Sequence, residues 1–159
     1  MLTRTMLFLT VLAVTPSLGL AQSTSPNGVR TLDPPGAIKA EGTWSLGVRA
    51  GDFVFVAGMQ GMDPATNALV KDPQARILRA FLNLKLIAES EGASLQHCVR
   101  LTVYVSDLHR YAPMVEKAQA ELWGKPPRTI SRFSACSTTT SSRSIACSMR
   151  QRRSERVES

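Results

Sequence analysis

The eight residues Cys98 to Val105, CVRLTVYV, decide the fold: polar and apolar positions alternate along a stretch rich in β-branched and aromatic residues. Such a strand turns one face to a core and the other away from it. The core must then come from its neighbours. Upstream, Asp72-Pro73 reads as an N-cap followed by a proline at the first helical position, opening a helix that runs to about Glu91 and stops at Gly92. Ile77, Phe81, Leu84 and Ala88 recur at helical spacing, with Leu78 and Leu82 widening the apolar stripe. Downstream, Ser106-Asp107 begins a second helix that faces Met114, Val115, Ala118 and Leu122 inward and ends at Gly124.

Moving outward again, Phe53 to Gly58 (FVFVAG) is a continuous apolar run suited to a strand buried on both faces. Thr43 to Val48 (TWSLGV) alternates well enough to be its hairpin partner across Arg49-Ala50-Gly51-Asp52. Met62 to Ala68 (MDPATNA) reads as an exposed loop. At the other end, Pro126 and Pro127 fix φ and remove two backbone donors, so Arg128 starts a strand backed by Thr129 and Ile130. A guanidinium held there can grip a planar carboxylate through two parallel hydrogen bonds. The expected class is α+β, with two helices on one face of a small mixed sheet.

The chain has 159 residues and a formal net charge of +7, which would suit a polyanion binder if the charge were spread evenly. It is not. From Gln22 to Ile130 there are twelve Lys or Arg against ten Asp or Glu, whereas the segment after Ile130 has six Arg against two Glu. Specific nucleic-acid binding is therefore not expected, and the Arg-rich end MRQRRSER reads as a nonspecific tail. Arg4, the apolar run Met6 to Val14 and Gly19-Leu20-Ala21 have the layout of a signal peptide over residues 1–21, cleaved near Ala21. Pro16 and Ser17 interrupt the run too early for a membrane span, so a periplasmic or secreted chain with no membrane attachment after cleavage is expected. Residues 22–34 read as a flexible lead-in.

The runs GDFVFVAGMQGMDPATNALV, ILRAFLNLKLIAESEGASLQHCVRLTVYVSDL and AELWGKPPRTI resemble the RidA/YjgF/UK114 family of imine deaminases over residues 35–130. The resemblance implies a β-β-α-β-β-α-β-β fold similar to bacterial chorismate mutase, and a homotrimer, given an intact C-terminus, with clefts between subunits. It implies hydrolysis of 2-aminoacrylate and related imino acids to keto acids and ammonia, without metal or organic cofactor. Matching residues carry the implied roles. Arg128 corresponds to the catalytic arginine that binds the substrate carboxylate, Trp44 stands where many relatives have a cleft tyrosine, Gly58 allows close backbone approach, and Thr102 and Tyr104 line the cleft. Ala57 replaces a serine found in some members.

The resemblance stops at Ile130. Residues 131–159 contain nine Ser and six Arg and lack Gly, Pro, Lys, Leu and Asp, which is unlike a globular end. With synonymous codons chosen freely, Ser131 to Arg150 read one base out of phase gives EVQRLLNDDIVEIDCMLNA, typical of the family's last strands. A frameshift near Ile130 is the expectation, with those strands lost, the tail disordered and the water-positioning glutamate of the family absent. Two other function classes stay open: a noncatalytic small-carboxylate binder or chaperone-like trimer, and an endoribonuclease. His97 and His109 suggest no metal site, Cys98 reads as a core residue, and Asp107 as a helix cap.

Overall fold

The Asp72 side chain accepts the backbone N–H of Ala75 at 2.8 Å, and Pro73 follows it, so the longer helix starts where its capping chemistry dictates. In the computed structural model, which describes residues 24–123, 130–134 and 144–150, this helix (α1) spans Pro73–Glu89. Residues 1–21, whose layout suggested a signal peptide, and Arg128 lie outside the described residues.

Three strands precede the cap: β1 (Arg30–Leu32), β2 (Gly47–Ala50) and β3 (Phe53–Met59). A two-residue hairpin, β4 (Met62–Asp63) with β5 (Ala68–Leu69), lies between β3 and α1. After α1, a single 3-10 turn at Leu95–His97 leads into β6 (Cys98–Val105), followed by α2 (Leu108–Trp123), β7 (Ile130–Ser134) and β8 (Ser144–Arg150). The main sheet has the order β1-β2-β3-β8-β6-β7, with β6 and β7 parallel and every other pair antiparallel.

Alternation along the strands sorts the side chains. Val54 and Val56 of β3, Leu101, Val103 and Val105 of β6, and Met149 of β8 are buried with Ile77, Phe81, Leu84 and Ile87 of α1 and Val115 and Ala118 of α2. At the end of α2, Trp123 packs edge-on against Phe81 with ring centroids 5.2 Å apart, and its Nε1–H donates to the Leu95 carbonyl at 2.6 Å. Gln96 Nε2 in turn donates to the Trp123 carbonyl at 2.6 Å, satisfying one of the helix's terminal acceptors.

Five expectations change. The continuous apolar run of β3 is not buried on both faces: Phe53 and Phe55 are exposed while Val54 and Val56 are buried. The hairpin turn is only Gly51-Asp52, because Gly51 adopts φ 56° and closes it in two residues, so β2 runs on to Ala50; the strand begins at Gly47 and not at Thr43. The exposed loop at Met62 to Ala68 contains the β4–β5 ladder. The lead-in 22–34 includes β1: Leu32 is buried, and Arg30 and Arg49 both pair with the carboxylate of Glu91, two residues past α1. Finally, the last strands are not lost. Residues 130–134 and 144–150 are strands, and β8 occupies the middle of the sheet. Ladder hydrogen bonds come from the backbone, so a Ser-rich segment can make them. Apolar residues at 145, 147 and 149 supply the period-2 pattern that a bulk composition conceals, and Met149 is fully buried.

Candidate functional site

Helices cover one face of the sheet, so the chemistry has to be sought on the other. That face carries Phe53 and Phe55, both exposed, with ring centroids 6.1 Å apart, together with Thr102 and Tyr104. Phe55 is registered with Val48 on one side and Ser148 on the other; Thr102 is registered with Ala146, and Tyr104 with Ser144.

Gly58 occupies a break in this regular surface. Val56 pairs with Cys147 and Met59 with Ile145, so β3 spends three steps where β8 spends two. The extra residue makes a β-bulge at Ala57-Gly58, which interrupts the ladder and bends the strand, as bulges beside binding sites commonly do. Since Ala146 lies between Cys147 and Ile145, the bulge and Thr102 flank the same point of β8 from opposite sides. Two inter-strand spacings, about 10 Å, separate the strands that carry them. Gly58, Thr102 and Tyr104 are thus brought to one end of the sheet by strand register.

Tyr104 also borders a small, mainly apolar pocket lined by Gln60, Arg76, Ile77, Val105 and Val115 among others. The Arg76 guanidinium reaches back to the Val70 carbonyl and so holds the β4–β5 hairpin onto α1. Neither Gln60 nor Arg76 was marked by sequence pattern, because one follows a strand and the other lies in a helix with no motif around it.

Trp44 sits apart from that pocket, in the exposed stretch between buried Ile38 and buried Leu46. Trp44 is 44% exposed and its Nε1–H donates to the Glu41 carbonyl at 2.8 Å. Arg128, the expected carboxylate clamp, falls outside the described residues, two positions before β7. Cys98 is buried and disulfide-bonded, which removes it as a nucleophile. Asp107 Oδ1 accepts the backbone N–H of Arg110 at 3.1 Å, the cap role read from its position. Among the described residues no three His, Cys, Asp or Glu side chains converge as a metal site requires.

A family model described as endoribonuclease L-PSP matches residues 35–135. The chain belongs to this family. It is the RidA/YjgF family indicated by the sequence runs. L-PSP relatives include a RutC family protein of Pyrococcus abyssi, 41% identical over 95 residues that cover 58% of this chain and 74% of the relative. A 2-iminobutanoate/2-iminopropanoate deaminase of Salmonella typhimurium is 32% identical over 83 residues, covering 52% of this chain and 65% of that enzyme. Among solved L-PSP structures, RidA from the Antarctic bacterium Psychrobacter superposes with a TM-score of 0.69 at 26% identity, covering 76% of this chain and 98% of its own. The α+β arrangement of two helices on one mixed sheet is therefore the family's fold.

Proposed function

We propose that this protein is a RidA-type hydrolase that converts 2-imino acids, the tautomers of 2-aminoacrylate-type enamines, to 2-keto acids and ammonia. Water adds to the C=N carbon, the nitrogen is protonated, and the resulting carbinolamine loses ammonia as the carbonyl forms. This chemistry needs a fixed substrate carboxylate, an ordered water and a proton source more than a strong nucleophile. The observation carrying the reading is that the Gly58 bulge and Thr102 flank the same point of β8 from opposite sides, with Tyr104 two residues further along β6. Relatives named as 2-iminobutanoate/2-iminopropanoate deaminases support it. In this reading Arg128 clamps the carboxylate through two parallel hydrogen bonds and Trp44 forms an apolar wall. Iminopyruvate generated enzymatically, added to the purified protein, should yield keto acid faster than in buffer, and Arg128→Ala should abolish the gain. Equal rates with and without the wild-type protein would reject the reading.

A homotrimer belongs to the same proposal. Phe53 and Phe55 leave an apolar patch on the helix-free face, the kind of surface that self-association covers. Export is likewise proposed from the leader-like residues 1–21.

A second reading is favoured by one observation: β8 reads SIACSMR and contains no carboxylate. The resemblance places the water-positioning glutamate on the last strand, so a chain with none there would bind small carboxylates without turning them over. Thermal stabilisation by pyruvate with no imine hydrolysis would establish that reading over the first.

A further inference from the structure

The stretch from Lys39 to Trp44 has no regular secondary structure, yet it carries Trp44, a large aromatic ring expected to face a ligand. Its two ends are anchored by Ile38 and Leu46, both buried, while the residues between are exposed or half-buried. A segment of this kind needs something outside itself to hold it.

Asn67 supplies the hold. It sits in the turn of the β4–β5 hairpin with φ 53°, a left-handed conformation that Asn tolerates better than most side chains. Its Oδ1 accepts the backbone N–H of Lys39 at 3.0 Å, and its Nδ2 lies 3.4 Å from the Lys39 carbonyl and donates to Glu41 Oε1 at 2.9 Å. One amide therefore engages both backbone groups of Lys39, as a neighbouring strand residue would, and also the side chain of Glu41. Glu41 then returns its own carbonyl to the indole of Trp44.

The hairpin is itself fixed. Asn83 of α1 donates to the Met62 carbonyl at 2.8 Å, Val70 N–H donates to the Gly61 carbonyl at 3.2 Å, and the Arg76 side chain reaches the Val70 carbonyl. A continuous series of contacts thus runs from α1 through the hairpin and Asn67 to the Trp44 ring. We propose that Asn67 is a positioning residue: it fixes the Lys39–Trp44 segment so that Trp44 is held ready as a wall of the substrate site. This rests on the imino-acid reading only in taking Trp44 to face the ligand.

The test uses two single variants and one exchange, with two readouts. Asn67→Gly keeps the positive φ and removes all three side-chain contacts. Asn67→Asp keeps the acceptor for Lys39 but sets a carboxylate against Glu41, and adding Glu41→Gln to it restores a donor–acceptor pair of reversed polarity. Deuterium uptake of the peptide covering residues 39–46 reports the segment, and KM and kcat for iminopyruvate report the site. Both single variants should speed uptake in that peptide and raise KM about five-fold, the worth of roughly one hydrogen bond of lost preorganisation, with kcat held within about two-fold. The double variant should recover both. Unchanged uptake in Asn67→Gly, or failure of the exchange to recover it, overturns the role of Asn67. Faster uptake that the exchange reverses, in a protein whose wild type hydrolyses no imine, upholds the hold on the segment and rejects the imino-acid reading instead.

Discussion

Arg49 Nη1 lies 3.2 Å from Glu91 Oε2, and the same carboxylate oxygen is the partner of Arg30. One acid two residues beyond α1 therefore joins the first two strands to the turn that follows the helix. The Glu91 side chain is only 6% exposed, while those of Arg30 and Arg49 are 29% and 32% exposed. Glu91→Gln leaves two arginines that can turn to water, so the loss should be well below that of breaking a fully buried pair. About 1–2 kcal/mol is expected, read as a lower urea midpoint at unchanged slope.

Trp123 should separate packing from hydrogen bonding. Trp123→Phe retains a ring against Phe81 but leaves the Leu95 carbonyl without its donor, which should cost about 1–3 kcal/mol in chemical denaturation. Trp123→Ala also opens a cavity and should cost about 3–5 kcal/mol.

Gly61 adopts φ 72°, and a Cβ built on it would stand 2.1 Å from the Arg76 carbonyl oxygen. Gly36 has φ 78° with nothing within 4 Å of the same position. Gly36→Ala should therefore cost only the backbone term, about 1–2 kcal/mol. Gly61→Ala adds a clash with helix backbone and should cost at least about 1–3 kcal/mol more, measured as a difference between the two urea midpoints.

Phe55→Lys tests the proposed assembly. A charged residue on the helix-free face leaves the core packing untouched, so the far-ultraviolet spectrum should be unchanged while sedimentation shifts from trimer to monomer. A wild-type protein that sediments as a monomer rejects the trimer without recourse to the variant.

Much of the fold was legible because its signals are local. The Asp72-Pro73 cap fixed the start of α1, and the alternation at Cys98–Val105 gave the limits of β6. Where sequence reading moved away from the structure, the deciding contact was distant. Arg30 looked like part of a flexible lead-in because the carboxylate that engages it is 61 residues away. Met62 to Ala68 looked like a plain loop because the backbone of Lys39, 28 residues before Asn67, is what it holds. The candidate site followed the same division. Gly58, Thr102 and Tyr104 could be named from the resemblance, but the bulge that sets Gly58 opposite Thr102 exists only once β8 is paired on both sides.

By itself the sequence determined the two helices, the alternating strand between them, the near balance of charge through the middle of the chain and the family runs on which the functional reading depends. Tertiary structure decided the rest: that residues 144–150 pass between β3 and β6, that β1 belongs to the sheet, and that Asn67 reaches the Trp44 segment. The physical reason is range. Caps and periodicity act within a few residues, so they are written in order along the chain. Strand pairing satisfies backbone groups that every residue carries alike, so its partners are set by which strand edges and apolar faces the whole fold brings together.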